Sequence, residues 1–119
     1  MKNRVVLSNV FKPSSKFMAK TLILGTDKES NLELTAEFKY KKKLEAVLTW
    51  REVVKIRFLL SELWVEPNDT KLAMVSRFRN SQLDYLVFYF KHPDQIKERE
   101  SYRISVNFKE FEDAIKALA

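Results

Sequence analysis

Cysteine is absent from this chain, and glycine and histidine occur once each, as Gly25 and His92. Without cysteine there is no disulfide framework and no thiolate metal site. With a single glycine there is no glycine-rich loop to cradle a phosphate, of either the P-loop or the dinucleotide type. His92 lies in Lys91-His92-Pro93-Asp94, which reads as the turn leaving a strand. A lone histidine there is expected to be a surface residue, because a general base needs partners within hydrogen-bond reach. Carboxylates are plentiful but scattered among lysines, with no paired-acid spacing. A non-catalytic protein is expected, with no metal and no small-molecule cofactor. Long apolar runs are also missing. The densest, residues 83–90, is strand-length and contains Asp84, so no membrane span is expected. The N-terminal segment has no apolar core followed by a small-residue cleavage pattern, so no signal peptide is expected. A soluble, cytoplasmic protein is the simple expectation.

What the chain does have is apolar bulk and positive charge. Its 119 residues are 45% hydrophobic, enough for one domain with a proper core. Lysine and arginine number 22 against 16 acids, a net charge of +6. That balance favours polyanionic partners such as DNA, RNA or an acidic protein, and it also serves plain solubility.

Strand-like and helix-like segments alternate in a regular order. Residues 4–11, 17–24, 32–40 and 44–48 read as strands, broken by Lys12-Pro13-Ser14-Ser15 and by the polar turn at 25–31. In the third, Leu32, Leu34, Ala36, Phe38 and Tyr40 alternate with Glu33, Thr35, Glu37 and Lys39, the pattern of a strand with one wet face. Thr49 and Glu52 form a capping box at a helix start. The stripe Val53, Ile56, Leu60 and Leu63 predicts a helix that ends near Trp64, before the breaker cluster Glu66-Pro67-Asn68-Asp69. The second half repeats this order. Strands are expected at 71–79, 83–91 and 102–106, with a turn at 80–82 and a loop at 92–100. Asn107 then caps a helix with Glu110 at the box position and Phe108, Phe111, Ile115 and Leu118 as its stripe.

The repeat extends to individual positions. Residues 20–40 overlay residues 71–91 without a gap at an offset of 51 (71 − 20), and the helix starts overlay at 58 (107 − 49). The second overlay matches Thr49 with Asn107, Trp50 with Phe108 and Glu52 with Glu110. The difference of 7 is assigned to a longer loop after His92. The expected fold is α+β: two tandem sheet-then-helix units within one domain, about 4–64 and 71–119. Each has three to four antiparallel strands plus one helix, with the helices packed on one sheet face.

Two tandem units of four strands and a helix resemble the Whirly proteins, and one such unit resembles the Pur-alpha repeat or the transcriptional-coactivator domain of similar shape. Those families bind single-stranded DNA or RNA on the sheet surface. The resemblance spans nearly the whole chain and is one of topology. The Lys-Gly-Lys-Ala-Ala-Leu type of run found in plant Whirly proteins is absent here, so no functional residue is carried over.

Candidate binding residues come from two places. Taking the apolar set as inward, the opposite face of the second unit shows Asp84, Leu86, Phe88 and Phe90, with Arg77, Arg79 and Arg103 on neighbouring strands. Phenylalanines flanked by arginines suit base stacking with phosphate contact. The same apolar run equally reads as a central strand buried on both faces, the simpler reading given the solubility cost of exposed phenylalanine. The second place is the hairpin Lys39-Tyr40-Lys41-Lys42-Lys43, whose lysines Lys39, Lys41, Lys42 and Lys43 suit phosphate contact or are simply solvated. Trp50 and Trp64 read as core or boundary anchors rather than stacking platforms. Two functions remain open. One is a binder of single-stranded DNA or RNA. The other is a protein-interaction or transcription-regulatory module that uses 83–90 as a dimer or partner interface, a homo-oligomer in the first case.

Overall fold

Both units form a four-stranded antiparallel meander that runs into a helix. In the first, β1 (Val5–Ser8), β2 (Thr21–Thr26), β3 (Leu32–Glu37) and β4 (Lys43–Leu48) pair in chain order, and α1 (Trp50–Arg57) follows. In the second, β5 (Trp64–Val65), β6 (Leu72–Arg79), β7 (Asp84–Phe90) and β8 (Tyr102–Asn107) do the same, and α2 (Phe108–Leu118) follows. The computed structural model describes residues 3–91 and 101–119. The expected loop at 92–100, with His92, lies outside the described residues. The α+β class and the tandem sheet units are as the pattern predicts.

Both helix caps form where the spacing places them. Thr49 Oγ1 accepts from the Glu52 amide at 3.2 Å, and Glu52 Oε1 accepts from the Thr49 amide at 3.0 Å. Glu52 is buried, and its second oxygen accepts from the Asn68 amide at 2.7 Å, which ties the inter-unit linker to the start of α1. Asn107 Oδ1 accepts from the Glu110 amide at 3.0 Å. Such caps satisfy amides that have no partner inside the helix.

The first helix is shorter than its apolar stripe suggests. It ends at Arg57, because the free edge of β6 takes the following backbone. The Glu62 amide donates to Arg77 O at 2.7 Å, and the Arg77 amide donates to Leu63 O at 3.1 Å. Trp64 and Val65 then pair with Ser76 and Val75 as a short edge strand, which the expected helix had concealed. Pairing β6 on both sides satisfies a row of amides that a continued helix would leave open. As a result Leu60 and Leu63 are exposed instead of packed in a helix stripe.

One core serves both units. The inward rows Leu22, Leu24, Leu32, Leu34, Ala36 and Leu48 of the first sheet meet Val75, Leu86, Phe88, Phe90, Ile104 and Val106 of the second, with Phe111 and Ile115 of α2 among them. The α2 helix contacts β1 and β2 as well as β7 and β8. The backbone also joins the sheets. The free edge of β8 accepts Val10 and Ala19 amides at Ser105 O and Arg103 O, both at 2.9 Å, and the Arg103 amide donates to Phe17 O at 2.9 Å. Met18 and Arg103 thus form a parallel bridge.

The gapless overlay of the two halves is corrected by the registers. Leu34 pairs with Leu24 and Ala46, and Phe88 pairs with Val75 and Ile104, all on inward rows. Keeping the offset of 51 between Leu24 and Val75 therefore matches Leu34 with Phe88, an offset of 54 (88 − 34), and Ala46 with Ile104 at 58 (104 − 46). At 51, Leu34 would match Tyr85, on the opposite face, because an odd slip flips every side chain. The added 7 residues are split between the β6–β7 hairpin and the connection after β7.

Phe88 is wholly buried, and its ring lies 5.7 Å from that of Phe111. Phe88→Ala should cost about 3–5 kcal/mol, read as a fall in the urea midpoint with an unchanged m-value.

Candidate nucleic-acid interface

Strand pairing decides which side chains of the second sheet face away from the helices. Residues directly opposite in an antiparallel pair share a face. Leu72, Val75 and Arg77 pair with Phe90, Phe88 and Leu86, which pair in turn with Tyr102, Ile104 and Val106. That is the helix-covered face. The outer face carries three rows that cross the strands. Met74, Tyr89 and Arg103 form one, Phe78, Tyr85 and Asn107 another. Between them run Trp64, Ser76, Val87 and Ser105.

The rows differ in height. Ser76, Val87 and Ser105 are buried among larger neighbours, whereas Met74, Phe78, Tyr85, Tyr89 and Arg103 are half-buried and stand beside them. The result is a shallow trough with a small-residue floor and aromatic walls. It crosses the sheet for roughly 14 Å, three strand spacings of about 4.8 Å. Trp64, 55% exposed, stands at the β5 end. Phe78 and Tyr85 stack at 5.6 Å, and Phe11 from the β1–β2 connection meets Tyr85 edge-on at 5.1 Å. Burial raises the Tyr89 phenol above its ordinary pKa, and the charge of neighbouring Arg103 opposes that shift.

Cations gather along and beyond one wall of the trough. The Lys91 amide donates to Lys71 O at 2.9 Å, which sets those two exposed lysines side by side beyond the Met74–Tyr89–Arg103 row. Arg103 is held by an Nη1 bond to Ser101 O at 3.0 Å. The first sheet differs. Its outward positions include Glu33, Glu37, Thr35 and Glu45, which disfavour a phosphate backbone.

The residues expected to act together are divided by this geometry. Phe88 and Phe90 are buried under α2 and present no ring to solvent. The simpler reading of a buried strand therefore holds, and Phe88 and Phe90 are withdrawn as binding residues. Leu86 is buried with them and Val87 lies in the trough floor, so most of 83–90 is also withdrawn as an exposed partner interface. The strand is apolar on both sides, so alternation alone does not choose its face.

Arg77 belongs to the interior as well. Its Nε and Nη2 donate to the Asp84 carboxylate at 3.0 and 2.7 Å, and Nη1 donates to Leu59 O at 2.7 Å. Its guanidinium carbon lies 3.7 Å from the Phe108 ring centroid. The bond to Asp84 raises the Arg77 pKa further, against an opposing desolvation. Arg77 thus clamps the end of α1 and the start of α2 to the sheet. Arg79 is exposed, on the same side as Asp84, away from the trough. Of the three arginines, Arg103 alone lies on the aromatic face.

The hairpin lysines also separate. Lys43 pairs with Glu37 at 3.5 Å on the first sheet, and Lys41 is exposed at the tip. Lys39 and Lys42 turn toward a cavity beside Tyr102. Trp50 is half-buried against the core, as an anchor should be, but Trp64 is not an anchor. Phe78, Tyr85 and Tyr89 were missed by the sequence reading. Their signal was present in the contrast between Tyr85 and Tyr89 and the phenylalanines at 88 and 90, since a hydroxyl favours the wetter face.

Among the described residues no group of three His, Asp or Glu side chains is placed to hold a metal ion. None of their helices is long and apolar enough to cross a membrane. Comparison with protein-family models, with curated proteins and with solved structures finds no match to this chain.

Arg77→Ala should lower stability by about 1–3 kcal/mol, because it strips the partner from a half-buried carboxylate. Arg79→Ala should stay within about 0.5 kcal/mol of the parent. Chemical denaturation of the two variants checks the division.

Proposed function

We propose that this protein is a non-catalytic binder of single-stranded DNA or RNA, and that the strand lies on the outer face of the second sheet. The observation that carries this reading is the trough walled by Phe78, Tyr85, Tyr89 and Met74, with Trp64 at its β5 end and Arg103, Lys71 and Lys91 along and beyond the Met74–Tyr89 wall. Unpaired bases offer π faces, and stacking on an aromatic side chain is worth about 1–3 kcal/mol per base whatever the base. The lysines and arginine along that wall supply phosphate contacts, which position a strand without reading its sequence. The net charge of +6 and the topological resemblance to Whirly-type proteins support the same reading. A duplex buries its base faces and gains only the electrostatic part.

A second reading rests on a different observation. Val54, Phe58, Leu60, Leu63 and Trp64 are all exposed large apolar residues on α1 and the connection to β5. Such crowding is a mark of an interface, and a second copy of this chain is its proposed occupant. A dimer joined there would leave the trough free except at Trp64.

Anisotropy of a labelled single-stranded oligonucleotide, titrated at low and moderate salt beside a duplex, tests the first reading. Single-strand preference with steep weakening in salt is expected. Tyr89→Ala should weaken binding by about 1–3 kcal/mol, and Arg103→Ala should reduce the salt slope by about 1. An absence of binding at low salt would sink the proposal. For the second reading, sedimentation equilibrium should show a dimer that Phe58→Asp converts to monomer; a monomeric parent protein removes it.

A further inference from the structure

Three lysines from two separate segments converge on one cavity. Lys16 comes from the β1–β2 connection, and Lys39 and Lys42 come from the β3–β4 turn. With Tyr40 and Tyr102 they line a space of about 290 Å³. Among the described residues no carboxylate lines it, and none of the three lysines is paired with an acid. Three lysines lining one space bring like charges together, and an anion among them relieves their repulsion.

The turn that brings Lys39 and Lys42 together is built against local preference. Tyr40 (φ 62°, ψ 34°) and Lys41 (φ 59°) both take the left-handed conformation, which side-chain-bearing residues avoid at a cost of about 1 kcal/mol or more each. The turn is closed by the Phe38 amide donating to Lys42 O at 2.8 Å and the Lys42 amide to Lys39 O at 3.4 Å. It leaves the Tyr40 ring 89% exposed at the cavity rim. Lys42 Nζ is already aimed. It donates to Tyr102 Oη at 3.1 Å and lies 4.8 Å from that ring's centroid. An ammonium carries three donors, and this bond engages one of them.

The chemistry narrows the ligand. A phosphate monoester carries about −1.5 to −2 charge and three terminal oxygens, which suits three ammonium donors better than the single charge of a diester linkage. The exposed Tyr40 ring offers a face for the attached nucleoside. We propose that this cavity binds the phosphate monoester of a nucleotide, with Lys16, Lys39 and Lys42 on the phosphate and Tyr40 against the nucleoside. The monoester has two sources: the phosphorylated end of a single strand, or a free nucleotide. The first source rests on the sheet-face reading above. Tyr102 and Arg103 are consecutive in β8 and point to opposite faces of the sheet, so a strand that engages both the cavity and the aromatic face must pass around the end of β8.

The test compares one single-stranded oligonucleotide with a 5′-phosphate, a 3′-phosphate or hydroxyl ends, by anisotropy. Adenosine monophosphate is titrated separately and followed by amide chemical shifts. One phosphorylated form should bind roughly tenfold more tightly than the hydroxyl-ended strand. That preference should vanish in Lys16→Ala/Lys39→Ala. It should persist in Lys28→Ala/Lys116→Ala, which removes equal charge elsewhere. Adenosine monophosphate should shift the amides of Lys16, Lys39, Tyr40, Lys42 and Tyr102. Shifts without an end preference assign the cavity to a free nucleotide. Equal binding of all three strands with no such shifts overturns the cavity and leaves the sheet face standing. Failure of every strand to bind, with the shifts present, removes the sheet face and keeps the cavity.

Discussion

Phe88 of β7 packs against Phe111 of α2 with ring centroids 5.7 Å apart, and both rings are fully buried. This contact selects the face of β7 that turns inward, and most of the second unit follows from it. Leu86 and Phe90 go inward with Phe88, and Tyr85, Val87 and Tyr89 go outward. Arg77, opposite Leu86, is drawn to the helix side, where Asp84, Leu59 O and the Phe108 ring surround it. Burial of a large aromatic ring is worth several kcal/mol, more than the modest difference between tyrosine and phenylalanine on the outer side. A one-residue slip would expose Phe88 and bury Tyr89 with its hydroxyl, so the register is strongly held.

The two units share a plan and differ in surface. The outer face of the first sheet carries Glu33, Glu37 and Glu45, with Glu37 engaged by Thr21 and Lys43. The corresponding face of the second carries tyrosines, a phenylalanine and an arginine. The two outer faces therefore differ in charge and in aromatic content. Backbone hydrogen bonds between β8 and Val10, Phe17 and Ala19 pair the β8 edge where the two sheets meet.

Scarcity of glycine shapes the turns. Gly25 stands inside β2, and the left-handed positions fall instead on Ser30, Tyr40, Lys41 and Glu62. At Ser30 the strain is shared with Asp27, whose carboxylate accepts from the Glu29 and Asn31 amides. At Tyr40 and Lys41 no side chain plays that part among the described contacts. There the strain coincides with the lysine-lined cavity, which is why that turn, rather than the others, carries the further proposal.

Much of the fold was legible because it depends on local rules. The caps at Thr49 and Asn107, the alternation of β3, and the order of strands and helices follow from backbone amides needing partners and from period-two burial. The site was legible only in part. Arg103 and the hairpin lysines were singled out by charge; of the two readings of Phe88 and Phe90 burial is the one observed, and Arg77 lies on the helix side instead of the open face. Neither the end of α1 nor strand β5 was visible, since both depend on the unpaired edge of β6, a partner distant in sequence. The sequence by itself determined composition, element order and caps, because those interactions span a few residues. Only the tertiary structure decided which face of β7 is wet and which lysines converge. Those choices are made by long-range burial and strand pairing, where an apolar strand with two similar faces carries no local preference.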